Sequence, residues 1–233
     1  MVVKDFSKMF VRGALKVPEA KFLGPRFRAA PKFRGPPRLL LSGYCTPVEN
    51  QGAKPWCAAY SASSYAENIL WRVKGYREEI DPAPVYAHAK RIDGDPDGDG
   101  TYLECALDAL LEQGLFDRNV SKVKTFGGRM FGSDTALDDL KYAVHRYGVC
   151  VAGFNITSEW FAPKGDVIRG ERAARQGGHA VTVCGYDETG VLILNSWGAD
   201  YARNGFVYLS NKAFDDQFMY GALLTHVLDE KGE

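Results

Sequence analysis

The residue pattern changes character near the middle of the chain, and this change constrains the fold more than any other feature. Before residue 148 the apolar residues recur at helical spacing, and after it they form short β-branched runs bounded by Gly, Asn and Asp. Helices grouped ahead of strands are typical of an α+β chain. We therefore predict a helical lobe over residues 41–147 and an antiparallel sheet or barrel lobe over residues 148–233.

Helix and strand boundaries follow from capping and turn residues. Asp81 before Pro82 predicts a helix start, and Gly114 and Gly148 predict helix ends. The predicted helices cover residues 57–73, 82–91, 101–113 and 135–147. The predicted strands cover residues 149–154, 179–186, 191–194, 206–209 and 222–228, with a hairpin turn at 187–190.

The first 40 residues differ from the rest of the chain in charge. They hold ten Lys and Arg against two Asp and Glu, whereas the whole chain has no net charge. Their five prolines block long helices, and five Phe are many for a segment that stays in water. We predict that residues 1–40 are an extended arm that docks on an acidic surface, apart from a domain over residues 41–233. An inhibitory leader, an assembly arm and a mobile tail all fit this composition.

Composition argues against several classes of protein. No run approaches the 18 apolar residues of a membrane span, and the start lacks the apolar core of a secretory signal. The neutral net charge gives no indication of a nucleic-acid partner. The five cysteines include no CxxC pair, which argues against a thiolate zinc site and against a disulfide scaffold. We expect a cytoplasmic or virion-associated protein with no cofactor and no membrane partner.

One cysteine lies at a position that is expected to make its thiol more acidic. Cys57 opens the first predicted helix, six residues after Gln51 of a Gln–Gly pair. A thiol at a helix N-terminus feels the positive end of the helix dipole, which lowers its pKa and favours the thiolate. The Gln51 amide can donate to the oxygen that becomes negative when such a thiolate attacks a carbonyl.

A histidine and an asparagine form the second part of the pattern. His179 begins one predicted strand and Asn195 ends the next, sixteen residues later. A hairpin between these strands can set the two side chains side by side, so that Asn195 fixes the tautomer of His179. Trp197 is placed to shield that hydrogen bond from water.

Together these stretches resemble the papain family of cysteine peptidases, in its compact bacterial and viral branch. That family has a Gln–Gly six residues before a Cys, and an Asn-Ser-Trp-Gly sixteen residues after a His that opens a strand. Both spacings occur here, and the resemblance spans about residues 38–210. It implies a papain-like fold of two lobes with a cleft between them. It also implies hydrolysis of peptide or protein substrates by Cys57, His179 and Asn195, with Gln51 as oxyanion donor.

The resemblance also suggests which residues line the cleft. The predicted substrate-binding residues are Gly100, Trp56, Gly178 and Trp197. The family usually has Cys-Gly-Ser-Cys-Trp around the nucleophile, whereas this chain has Lys54-Pro-Trp-Cys57-Ala58. The family's disulfide partner is thus replaced by Lys54, which suits a reducing compartment, and Trp56 is expected to narrow the cleft.

Two acidic segments have competing interpretations. Residues Asp93 to Glu104 match the spacing of a calcium-binding loop, but they also lie where the family forms the wall of its cleft. A metal at this loop, a wall and a solvated loop all stay open. Asp215 or Asp216 could favour a basic substrate side chain in the second specificity pocket, or the two could be a solvated pair.

Three functions are compatible with these residues. The first is an active cysteine peptidase. The second is a catalytically silent, or only secondarily active, papain-like domain that joins a larger assembly, such as a viral particle, through its basic arm. The third is an acyl or amide transferase that uses the same three residues.

Overall fold

A computed structural model gives the architecture, and it describes residue 14 and residues 34–75, 77–114, 120–127 and 136–226. Most of the arm over residues 1–40 lies outside the described residues. So do position 135 of the fourth predicted helix and positions 227–228 of the last predicted strand.

The four predicted helices are all present. They are α1 (Cys57–Lys74), α2 (Pro82–Asp93), α3 (Leu103–Glu112) and α4 (Ala136–Tyr147), each within two residues of the predicted ends. The Asp81 carboxylate caps α2 by accepting the Ala83 N–H at 2.9 Å. Gly148 ends α4 with φ 98°, a left-handed conformation that glycine adopts without steric cost.

The second lobe is built on one sheet. Its strands are β1 (Leu39–Leu40), β2 (Val120–Gly127), β3 (Cys150–Thr157), β4 (Val167–Ile168), β5 (Arg175–Tyr186), β6 (Val191–Leu194), β7 (Phe206–Leu209) and β8 (Phe218–His226). Their order is β2-β8-β3-β5-β6-β7-β4, and β1 also pairs with β5. Every pairing is antiparallel except that of β4 with β7. The sheet is therefore mixed and open rather than a closed barrel.

Helix α1 joins the two lobes. It lies against β5 at the centre of the sheet, and the Thr182 hydroxyl donates to the Ser61 carbonyl at 2.9 Å. Near its middle, the Tyr65 hydroxyl accepts the Leu224 N–H at 2.9 Å. Buried residues of both lobes form one continuous core. The start of α1 is consequently held in a defined position relative to β5.

Four short or weakly patterned elements escaped the sequence analysis. These are β1, β2, β4 and a helix α5 (Asn211–Gln217) capped by Ser210, whose hydroxyl accepts the Ala213 N–H at 3.1 Å. Elements of this kind owe their stability to tertiary neighbours more than to their own pattern. None of the described helices is long and apolar enough to cross a membrane.

Candidate active site

Cys57 is the first residue of α1, as predicted. Its side chain is fully buried, and its sulfur accepts the Ala180 N–H at 3.4 Å. Ala180 directly follows His179 on β5, so the sulfur at the head of α1 meets the strand that carries the predicted imidazole. The sulfur therefore lies at the positive end of the α1 dipole.

His179 is held by a partner that directly follows the neighbouring strand β6 and by two indole rings. Its Nε2 lies 2.8 Å from Asn195 Oδ1, and Trp197 and Trp160 lie with ring centroids 4.9 and 6.0 Å away. Because Asn195 Oδ1 also accepts the Ser196 N–H, it acts as an acceptor, and Nε2 therefore carries the proton. Nδ1 is then the basic nitrogen, and it has no hydrogen-bond partner among the described residues.

Burial sets the protonation of this imidazole. The side chain has no exposed surface, and burial lowers the pKa of His179 to about 4, with the Asn195 hydrogen bond acting in the opposite direction. The ring is therefore neutral near pH 7 and able to accept a proton. Trp197 is 1% exposed, so its contact within the site is with His179. Its part in binding substrate stays a prediction.

The Gln51 amide is fixed from both ends. Its Oε1 accepts the Ser196 hydroxyl at 2.6 Å, and its Nε2 donates to the Lys54 carbonyl at 3.0 Å. A backbone bond from Gln51 N to the Ser196 carbonyl at 2.9 Å holds the two segments together. Ser196 was not singled out from the sequence, although it stands next to Asn195. The serine inside the Asn-Ser-Trp run was the signal that could have identified it.

An aromatic pair lies beside Cys57. Trp56 stacks on Tyr86 with centroids 5.1 Å apart and planes at 25°, and Lys54 Nζ lies 4.3 Å from the Trp56 ring centroid. The Tyr86 hydroxyl in turn accepts the Gly100 N–H at 3.1 Å. Trp56 is therefore packed against the helical lobe. Its predicted effect on the width of the cleft stays a prediction.

A lysine occupies the centre of the proposed calcium loop. Lys90 is 4% exposed, and its Nζ lies 3.0 Å from Asp93 Oδ2, 4.0 Å from Asp95 Oδ2 and 3.0 Å from the Gly100 carbonyl. Glu104 instead interacts with the buried hydroxyl of Tyr220. Within the described ranges no group of three or more His, Cys, Asp or Glu could hold a metal ion. The Lys90 ammonium group thus balances the negative charge of this loop, which is the role predicted for a calcium ion.

The same loop includes Gly100, a predicted substrate-binding residue. Both polar backbone atoms of Gly100 are bonded inside the chain, the N–H to Tyr86 and the carbonyl to Lys90. Thr101, the next residue, instead forms a parallel bridge with Ala14 of the arm. Gly100 as a substrate-binding residue stays a prediction, and Thr101 is the neighbour that forms the bridge with Ala14.

Ala14 fills the space between the two lobes at this point. It is 5% exposed, its N–H donates to the Gly178 carbonyl at 3.4 Å, and it bridges to Thr101 on the other side. A Cβ added to Gly178 would lie 2.1 Å from the Ala14 carbonyl oxygen. Glycine at 178, a predicted substrate-binding position directly before His179, is what allows a peptide backbone to approach this closely.

The acidic pair near the C-terminus is exposed on α5. The Asp216 carboxylate lies 3.3 Å from Lys212 Nζ, and its carbonyl accepts from Arg175 at 3.1 Å. Asp215 is exposed beside it. Since Asp216 already has a cationic neighbour, the solvated-pair interpretation fits it better, and the specificity interpretation remains untested.

Solved structures share this architecture. Xylellain, a cysteine protease from Xylella fastidiosa, is 16% identical with a TM-score of 0.68, over 97% of this chain and 100% of that one. A procathepsin B from Trypanosoma congolense is 16% identical with a TM-score of 0.71, over 93% and 86%. A procathepsin L 3 from Tenebrio molitor larval midgut is 14% identical with a TM-score of 0.71, over 93% and 77%. At such identities the likeness establishes the papain-like α+β fold.

The sequence also matches a family model. No protein of curated function matches the sequence of this chain at a significant level. The model of the papain family cysteine proteases matches residues 103–219, about half of the chain, which include His179 and Asn195 but begin after Cys57. With the fold and this match together, the chain belongs to the papain family of cysteine proteases.

Proposed function

We propose that this chain is a cysteine peptidase whose nucleophile is Cys57, whose general base is His179 and whose orienting residue is Asn195. One arrangement carries the proposal: the Cys57 sulfur accepts the N–H of Ala180, and the adjacent His179 is held by Asn195 in the tautomer that leaves Nδ1 basic. A buried thiol at a helix start, next to a neutral imidazole, is suited to proton transfer and attack on a carbonyl.

The proposed reaction follows from these positions. His179 Nδ1 takes the proton of Cys57, and the thiolate attacks the substrate carbonyl carbon while the carbonyl π electrons move to oxygen. The Gln51 amide and the Cys57 N–H donate to that oxyanion. The imidazolium then gives its proton to the departing amine, which leaves an acyl-enzyme. Water, deprotonated by His179, releases the acid and restores the thiol.

The arm over residues 1–40 acts in this proposal as a cover of the cleft. The support is Ala14, which contacts Gly178 on one side and Thr101 on the other and is almost fully buried. A peptide backbone at this place excludes a substrate backbone from the same groups. The leader interpretation is therefore favoured over a mobile tail, and activity is expected to rise when the arm is displaced.

A thiol-directed epoxide separates an active peptidase from a silent assembly component. The full chain is tested with Cys45→Ser, so that tryptic peptide 39–72 contains Cys57 as its single thiol. Cys57 should be labelled faster than Cys105, and its labelling should accelerate on arm removal, when hydrolysis of a peptide library is also expected. Both reactions should be abolished in Cys57→Ala and reduced in Asn195→Ala. Labelling of Cys57 no faster than that of Cys105, without hydrolysis after arm removal, would favour the silent component.

A further inference from the structure

Two other thiols lie side by side where the lobes meet. Cys45 is partly exposed in the segment that leads to Gln51, and Cys184 is fully buried on β5. Their side chains interact directly with each other. Leu41 connects them, since its N–H donates to the Cys184 carbonyl at 2.7 Å and its own carbonyl lies 3.9 Å from Cys45 Sγ.

The two thiols have different surroundings. The Cys184 thiol and then the Asn68 amide, 3.7 Å away, stabilise the Cys45 thiolate and lower the pKa of Cys45 against the effect of burial. Burial and the neighbouring Cys45 raise the pKa of Cys184 well above its usual range. Cys45 is also the one of the two that a reagent can reach from solvent. It is therefore the thiol that reacts first.

We propose that Cys45 and Cys184 form a reversible disulfide that is separate from the nucleophile Cys57. The oxidant is a small-molecule disulfide such as oxidised glutathione. The Cys45 thiolate attacks one sulfur of that disulfide and expels one glutathione thiolate, which gives a mixed disulfide. The Cys184 sulfur then attacks Cys45 Sγ, its proton passes to the departing glutathione thiolate, and the second glutathione leaves as a thiol. Two protein thiols are oxidised and one disulfide is reduced to two thiols.

The crosslink would join two side chains that already interact. A disulfide needs Cβ atoms about 3.8 Å apart, so its formation would bring the two sulfurs from hydrogen-bond distance to covalent distance. The bond would connect the segment that enters Gln51 with the strand that carries His179, across a long loop of the chain. It would therefore stabilise the contact between the lobes whether or not the protein is a peptidase.

The test uses the full chain with Cys57→Ala, so that the nucleophile does not react. In this background each remaining cysteine occupies its own tryptic peptide: residues 39–72 hold Cys45, 92–118 hold Cys105, 147–164 hold Cys150 and 176–203 hold Cys184. After incubation of the native protein with oxidised glutathione, non-reducing mass spectrometry should find peptide 39–72 joined to peptide 176–203. Oxidation should also raise Tm by about 5–10 °C, reversibly on reduction.

Two variants distinguish a reactive pair of cysteines from two cysteines that are only packed together. Cys184→Ala should leave glutathione trapped on Cys45, because the resolving thiol is missing, whereas Cys45→Ser should block oxidation of Cys184. Cys105→Ser is the matched control and should leave the crosslink unchanged. A mixed disulfide that persists on Cys45 while Cys184 is present, or a crosslink from Cys184 to Cys150, would overturn the proposal.

Discussion

Gly178→Ala is the substitution that most directly tests whether the arm covers the cleft. Gly178 does not have a positive φ, so alanine is compatible with its backbone. The new Cβ would nevertheless lie 2.1 Å from the Ala14 carbonyl oxygen, far inside van der Waals contact. Since Gly178 belongs to the central strand β5 and Ala14 does not, the arm is the part that must move.

The size of the effect follows from what Ala14 loses. Its hydrogen bond to the Gly178 carbonyl is worth about 0.5–1.5 kcal/mol, and burial of its methyl group adds about 0.8 kcal/mol. Together these amount to about 1.3–2.3 kcal/mol, which corresponds to about a 9- to 50-fold rise in the open fraction. Labelling of Cys57 by a small thiol reagent should accelerate by the same factor.

Two measurements and one control define this test. The first is the rate of Cys57 labelling in the full chain. The second is limited trypsin cleavage at Arg12 and Lys16, the basic residues that flank Ala14, and it should also accelerate. Gly43→Ala is the control because a Cβ there meets nothing within 4 Å. Unchanged labelling and cleavage in a folded Gly178→Ala protein would refute the reasoning.

Three further substitutions test the surroundings of the site. Ser196→Ala leaves the Gln51 side-chain carbonyl oxygen without its 2.6 Å partner, and kcat should fall about tenfold or more with little change in KM. In a Gln51→Ala background Ser196→Ala should cause no further loss, and additive losses would contradict a role of Ser196 in positioning Gln51. Burial and neighbouring carboxylates raise the pKa of Glu49 to about 8, so the wild type should lose stability relative to Glu49→Gln as pH rises from about 4.5 to 8. Tm measurements of both proteins across this range check it, and a Tm difference that does not change with pH would count against it. Lys90→Met leaves the buried Asp93 carboxylate without its cation and should lower the free energy of unfolding in urea by about 3–5 kcal/mol, a loss that Asp93→Asn should partly recover. An increase in wild-type Tm on adding calcium would show that the loop also binds the ion.

Features with a local physical cause were predictable from the sequence. Strands β6 and β7 were predicted with their observed ends, because short β-branched runs between turn residues signal a strand without reference to distant residues. The Asp81 cap depends on a residue two positions away and was predicted for the same reason. The pairing of His179 with Asn195 needed one further step, a hairpin between consecutive strands, and the 2.8 Å contact confirms it.

Other features depend on parts of the chain that meet only after folding. Nothing in the pattern around Lys90 shows that its ammonium would take the centre of the acidic loop, because that position follows from how α2 packs beside residues 93–101. The bond from Ser196 to Gln51 joins residues 145 positions apart.

The sequence by itself determined helices α1–α4, strands β3 and β5–β8, the α+β order and the reactive residue types, because periodicity, caps and spacing act over a few neighbouring positions. Tertiary structure alone decided what surrounds those residues: Ala14 against Gly178, and Cys45 against Cys184. Such contacts are set by the order of strands in the sheet and by the packing of α1 on β5, which no short stretch of residues encodes.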